Sequence, residues 1–304
     1  TGACIIQPLG HGEKIYGVIN ISEKHDNTGF TDDDIRLIST IAGQITKGVE
    51  NFRLLEEMIQ KRAYEKELDI TSSIQKSILP SRKLESKHFD MGIISVPAKV
   101  MGGDFYDFSA YQDDRFVFSA ADVSGKSLPA ALFMAVTSSI IRTIGKESLP
   151  PSEALYRAND LIYQDSQSGM FVTLFYALFD ANTRELTYAS AGHNQQIIYR
   201  HDNQQFEFLH AKGRPLGVID SELHGPYGEG KAYLRSGDIL VLYTDGVVEA
   251  INEKGEEFSL ERFCKLIQDT HLLSADQMTK RIYREVLEFS GNEPQFDDFT
   301  LMVI

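Results

Sequence analysis

Cysteine is nearly absent from this chain of 304 residues: only Cys4 and Cys264 occur, far apart and without the spacing of a metal knuckle. That excludes a disulfide framework and fits a reducing compartment. Long apolar runs are missing too. None approaches the roughly 18 residues that a membrane-spanning helix needs, and no signal peptide is visible. Basic side chains are outnumbered, with 30 Lys and Arg against 44 Asp and Glu, for a net charge of -14. A surface of that sign repels nucleic acid and anionic lipid, so neither nucleic acid nor membrane is expected as a partner. Internal repeats and low-complexity segments are also lacking. What is present is ordinary for a globular protein, 42% apolar and 24% charged, and long enough for about two domains. The chain is expected to be soluble and cytoplasmic, and its initial Thr points to a piece of something longer.

Hydrophobic patterning divides the chain. KIYGVINISE, Lys14 to Glu23, alternates as a strand does. Thr31 followed by Asp32, Asp33 and Asp34 reads as an N-cap and acidic first turn. Apolar residues then recur every three or four positions, from Ile35 through Ile45, Val49, Phe52 and Leu55 to Ile59. That seam fits an amphipathic helix and a parallel coiled coil, through which the chain would form a homodimer. The seam is interrupted near Lys66, resumes at Ile70, Ile74 and Ile78, and is stopped by Pro80. A continuous helix over 33–78 would span roughly 70 Å at about 1.5 Å per residue, more than a domain of this size needs, so it is expected to connect two bodies or two chains. From Phe89 onward the pattern changes to short strands with interspersed helices. Strands are predicted at 116–123, 171–179, 185–190, 195–200, 205–210, 238–243 and 299–304, and helices at 128–144, 152–164, 259–268 and 274–289. Hairpins outnumber strand-helix-strand units, so the class is α+β with an antiparallel body.

Four acidic segments stand out against this background: GGDFYD at 102–107, ADVSGK at 121–126, YTDG at 243–246 and DDFT at 297–300. Carboxylates gathered without Lys or Arg repel one another and raise each other's pKa. Hard divalent cations, Mg2+ or Mn2+, relieve that repulsion because they choose oxygen ligands. The chemistry such a site supports is two-metal hydrolysis of a phosphate ester. Two cations about 3.5–4 Å apart would acidify a shared water and neutralise the phosphoryl oxygens.

At these motifs the chain resembles the metal-dependent PPM serine/threonine phosphatases, in their bacterial SpoIIE/RsbU-like branch. The resemblance covers about residues 70–304. It also rests on ADVSGKSLPAAL at 121–132, SAGHN at 190–194, GRPLGV at 213–218 and GDILVLYTDGVVEA at 237–250, with DDFTLMVI closing the chain. It implies a β-sandwich flanked by helices with metals held at one end. Carried over residue by residue, Asp104 would serve one metal, and Asp122 would bridge both with the Val123 carbonyl completing the shell. Asp245 and Asp297 would serve the second metal, with Asp107 and Asp298 as accessory acids. YGVINI and the helix after Gly29 resemble the last third of a GAF sensor domain. The implied organisation is a GAF-like part over 1–50, a linker helix over 51–80 and a phosphatase domain over 81–304. The implied substrate is a phosphorylated protein of the anti-sigma-factor-antagonist (STAS) type, in signal-dependent control of transcription.

The chain departs from the eukaryotic members in two places. Ser124 stands where they have a histidine proposed to protonate the leaving group, and no counterpart of their phosphate-gripping arginine is visible, Lys99 and Lys126 being the nearest cations. Simpler readings apply to several residues. A lone Asp beside Gly is usually a turn residue. His193 is read as turn packing before it is read as an acid, and Lys126 as a solvated loop residue. Ser124 and Ser127 have no adjacent base to make them nucleophiles. GGDFYD differs from the cyclase signature GGDEF at Phe105. A catalytically silent PPM-like scaffold or phosphoprotein-binding module is the alternative function, against which the retention of all four aspartates stands.

Overall fold

A computed structural model of the chain describes residues 4–12, 14–25, 28–111, 114–126, 128–147, 149–165 and 169–304. The chain divides into two compact units between Asp69 and Ile70. In the smaller one, β1 (Ile5–His11) and β2 (Lys14–Ile21) form an antiparallel pair, and the long helix α1 (Asp32–Ile78) comes next, its residues from Ile70 on belonging to the larger unit. Thr31 caps that helix: its N–H donates to Asp34 Oδ2 at 2.7 Å and its hydroxyl accepts the Asp34 N–H at 3.4 Å. The apolar seam breaks near Lys66 but the helix does not, because Ala63, Glu65, Lys66 and Glu67 are good helix formers without needing a buried face. Ile38 and Ala42 are buried, whereas Phe52, Leu55 and Ile59 are all more than half exposed. No described helix is long and apolar enough to cross a membrane.

The larger unit is built from β3 (Gly92–Val96), β4 (Phe105–Tyr111), β5 (Arg115–Val123), α2 (Leu128–Ile144) and α3 (Pro151–Asp165). Next come β6 (Val172–Asp180), β7 (Glu185–Ala191), β8 (Gln196–Tyr199), β9 (Phe206–Leu209), α4 (Ser221–His224) and β10 (Glu229–Tyr233). β11 (Ile239–Tyr243), a 3-10 turn at Asp245–Val247, α5 (Ser259–Thr270), α6 (Ala275–Ser290) and β12 (Phe299–Val303) complete it. The strands form two five-stranded sheets, ordered β10-β7-β6-β5-β4 and β3-β12-β11-β8-β9, antiparallel at every pairing. The expected helix-flanked α+β sandwich is what forms. One apolar core lies between the sheets, a second joins the first sheet to α2 and α3, and a third joins the second sheet to α5 and α6.

Strand parity decides which way each acid faces. Successive side chains alternate across a sheet. In β5, Phe116, Phe118 and Ala120 enter the core between the sheets, whereas Val117, Ala121 and Val123 enter the helix-side core. Asp122 therefore continues the inter-sheet row at the strand's end. In β11, Leu240 and Leu242 take the inter-sheet side, and in β12 Met302 does. In β4, Phe108 faces the other sheet and Phe105 faces the helices. Asp104 shares the parity of Phe108. The ends of β5 and β11 and the starts of β4 and β12 meet at one end of the sandwich: Phe105 pairs with Ala121 in one sheet, Tyr243 with Leu301 in the other, and the Thr244 hydroxyl bonds Asp104 between them.

Candidate active site

Asp104 sits just before β4, with only 7% of its surface exposed. Its Oδ2 accepts the Thr244 hydroxyl at 2.6 Å. Burial, followed by the negative charges of Asp122 and Asp298, holds its carboxyl well above the usual range, and hydrogen bonds from Thr244 and Thr300 offset this only in part. Asp122 is pushed up to about 7, first by burial and then by Asp245, Asp297 and Asp298. Asp245 is raised by burial and by Asp297, with Lys126 and the Gly246 N–H acting in the opposite sense. Each of these acids thus feels at least one other carboxylate of the group. The four aspartates singled out in the sequence do gather, although up to 193 residues separate them (297 − 104).

The loops that carry them touch through glycines. A Cβ on Gly103 would lie 2.8 Å from the Val123 carbonyl oxygen and 3.6 Å from Asp122 Oδ1. One on Gly246 would lie 2.0 Å from the Asp298 carbonyl oxygen. Asp298 organises this junction: Oδ1 accepts the Ala98 N–H at 2.7 Å, and Oδ2 accepts the N–H groups of Gly103 at 2.6 Å and Asp104 at 3.4 Å. Asp297 is paired differently. Its Oδ2 lies 2.9 Å from Lys126 Nζ, which also donates to the Phe296 carbonyl at 3.0 Å and sits 4.5 Å above the Phe296 ring.

Other residues turn out to have structural partners. Asp107 has the parity of Phe105 and faces the helices, where its Oδ2 lies 2.9 Å from Arg142 Nε. Arg142 also donates to the Ile78 carbonyl at 2.7 Å. Ser124 uses its hydroxyl to accept the Phe171 N–H at 2.9 Å, and Ser127 lies outside the described residues. The imidazole of His193 is held between Thr173 Oγ1, at 2.8 Å, and the Tyr243 carbonyl, at 3.2 Å.

Two residues that sequence reading passed over are central to this arrangement. Thr244 ties Asp104 to β12, its oxygen accepting the Thr300 N–H at 3.1 Å. Gln75, near the end of α1, grips the peptide of Gly102: Nε2 donates to the Gly102 carbonyl at 2.6 Å and Oε1 accepts the Gly102 N–H at 3.3 Å. Only the motif context of Thr244 could have drawn attention to it, and nothing in the sequence flags Gln75.

The donor set suits hard divalent cations: every candidate side-chain ligand is a carboxylate, and Asp104 and Asp122 have no cation paired with them among the described ion pairs. No three described His, Cys, Asp or Glu side chains stand in ready metal-binding geometry. Lys126 pairs with Asp297, backbone N–H groups with Asp298, and the Thr244 hydroxyl with Asp104.

Known proteins share this sequence pattern and this fold. The family described as Stage II sporulation protein E (SpoIIE) matches residues 112–304. Phosphoserine phosphatase RsbU of Bacillus subtilis is 35% identical over 240 residues, covering 78% of this chain and 69% of that protein. The SiaA-PP2C domain of Pseudomonas aeruginosa superposes with a TM-score of 0.70 at 25% identity, over 81% of this chain and 98% of that one. The catalytic domain of the serine threonine protein phosphatase PstP, in complex with two manganese ions, shares the fold at a TM-score of 0.52 and 14% identity, over 70% of this chain and 96% of that one.

Proposed function

From the chain's membership of the SpoIIE family of PPM-type phosphatases, we infer that it hydrolyses phosphoserine or phosphothreonine on a partner protein with the help of two divalent cations, Mn2+ or Mg2+. The observation that carries this reading is the clustering of largely buried carboxylates at one end of the sandwich: Asp122 and Asp298 raise Asp104; Asp245, Asp297 and Asp298 raise Asp122; and Asp297 raises Asp245. Asp104, Asp122 and the Val123 carbonyl would hold one ion, and Asp122, Asp245 and Asp297 the other. Asp298 keeps the Gly103–Asp104 loop against β12 and retains lone pairs that could serve an ion as well. When bound, such cations supply an acidified water for in-line attack on phosphorus and neutralise charge on the phosphoryl oxygens. Lys126, which pairs with Asp297 at 2.9 Å, would be the cation available to a phosphoryl oxygen.

The substrate class we propose is a phosphorylated STAS-type antagonist protein, which would place the enzyme in sigma-factor control. The relative named phosphoserine phosphatase RsbU supports phosphoserine as the group attacked, and the STAS-type protein is what the sequence resemblance implies. Incubation with manganese and either such a phosphoprotein or free phosphoserine distinguishes the readings. Rapid phosphate release from the protein alone is expected. Equal rates would indicate a metabolite phosphatase, and no release from either would indicate a silent scaffold.

A GAF-like sensor part over 1–50 and a linker over 51–80, feeding a phosphatase domain over 81–304, make the simplest organisation for regulated activity. The exposed apolar side chains Phe52, Leu55 and Ile59 would pair with those of a second copy in a homodimer. Gln75 would pass the state of the helix to the Gly102–Asp104 loop. Replacing Gln75 with Ala is expected to raise the manganese concentration needed for half-maximal activity about tenfold, the lower end for loss of a ligand-orienting partner. An unchanged manganese requirement would remove Gln75 from the path.

A further inference from the structure

The SAGHN segment has no part in the chemistry above, yet its polar side chains converge on one backbone group. β7 ends at Ala191, and Gly192 turns the chain at φ +70°, where an added Cβ would lie 2.8 Å from Pro215 Cδ. The next residues face the end of β11. His193 Nε2, Asn194 Nδ2 and Gln196 Nε2 each lie 3.2 Å from the Tyr243 carbonyl oxygen. Gln196 Oε1 also accepts the Tyr243 N–H at 2.7 Å. A carbonyl oxygen has two lone pairs. Three donors at equal distance therefore cage it rather than form one dominant bond, and they fix it against movement in several directions.

The residues after Tyr243 show why such a grip is useful. Thr244 N–H donates to the Thr300 carbonyl at 3.0 Å, and the Thr244 hydroxyl donates to Asp104. Asp245 comes next. On its other side His193 Nδ1 meets Thr173, which stands opposite Asp122 in the β5–β6 register. A carbonyl can only accept, so Nε2 carries the proton. Burial keeps the ring neutral, with its pKa lowered to about 4, so Nδ1 accepts from the Thr173 hydroxyl. Both nitrogens are thereby occupied, one toward each sheet, and neither is available to a leaving group.

We propose that His193, Asn194 and Gln196 form a positioning clamp that sets Asp122, on the first sheet, against Thr244 and Asp245, on the second, at the spacing a pair of cations requires. His193 is the strut between the sheets, and none of the three touches the reacting atoms. The proposal rests on the reading of the aspartates as cation ligands. It also gives SAGHN a role other than acid catalysis.

His193→Phe keeps the ring volume and removes both hydrogen bonds, and His193→Gln restores a donor toward Tyr243. Manganese affinity, measured by calorimetry on the full chain, and unfolding temperature without metal are the readouts. His193→Phe is expected to bind manganese about 10–100-fold more weakly, as removal of ligand-orienting groups does, with His193→Gln recovering most of that loss. The manganese requirement for activity should rise in parallel, with a much smaller fall in kcat at saturating metal. Unchanged affinity in His193→Phe, with only a lower unfolding temperature, overturns the clamp and leaves a packing role. A fall in kcat with unchanged affinity overturns it in favour of an acid. If His193→Phe does not fold, Asn194→Ala decides: binding weaker by about threefold or more, still short of the loss expected for a full ligand-orienting group, supports the clamp, and wild-type affinity overturns it. A wild-type protein that takes up no manganese overturns the metal reading and the clamp together.

Discussion

Asp122→Asn is expected to lower turnover of a phosphoserine protein by more than about 100-fold and, in the absence of metal, to make the protein more stable. Loss of a group that merely orients a ligand costs about 10–100-fold, so loss of the carboxylate proposed to bridge both ions should cost more. The stability gain comes from the same charge. Asp122 is pushed up to about 7 by burial and by Asp245, Asp297 and Asp298. The folded protein therefore holds a proton there that the unfolded chain, with an ordinary aspartate, releases near about pH 4. A carboxyl raised in the folded state contributes stability that is intact at low pH and lost as pH rises toward 7. The metal-free wild type should accordingly unfold at a lower temperature at about pH 8 than at about pH 5, and Asp122→Asn should flatten that dependence. Manganese binds only the folded state and should restore the wild type at the higher pH while helping Asp122→Asn far less. Thermal unfolding at both pH values, with and without manganese, checks each statement. Wild-type turnover in Asp122→Asn would sink the assignment.

Gly246→Ala should damage both stability and activity. The added Cβ would lie 2.0 Å from the Asp298 carbonyl oxygen and 2.8 Å from its carbon. Both atoms belong to backbone, which cannot swing aside as a flexible side chain would. Either the Asp245 turn or the Asp297–Asp298 turn must move. Overpacking of this kind costs about 1–3 kcal/mol. Because both turns carry proposed ligands, activity at limiting manganese is expected to fall more than about tenfold, the range for displaced ligand support. Chemical denaturation and a manganese titration of activity test the two halves separately. A variant with wild-type values in both would mean that the two turns are not in the contact described.

Short-range signals carried most of the larger unit. The apolar run before Asp245 and the alternation through Phe116 and Phe118 placed β11 and β5 within a residue of their observed limits. β10 escaped notice because EGKAY buries little and contains Gly and Lys, as an edge strand can. β1 contains Pro8 and Gly10, and β4, FYDFSAY, lacks a clean apolar–polar alternation.

The amino-acid order by itself determined that aspartates close the strands: parity makes Asp122 follow Ala120 onto the inter-sheet face, whatever else the chain does. It could not determine which distant groups would meet those aspartates. Gln75 on Gly102, Thr244 on Asp104, Arg142 on Asp107 and the cage around the Tyr243 carbonyl span separations from 27 to 140 residues. Local propensity has no term for such distances. Packing the sheets on each other and the helices on the sheets brought these partners together, because buried polar groups must find hydrogen bonds wherever the folded chain supplies them.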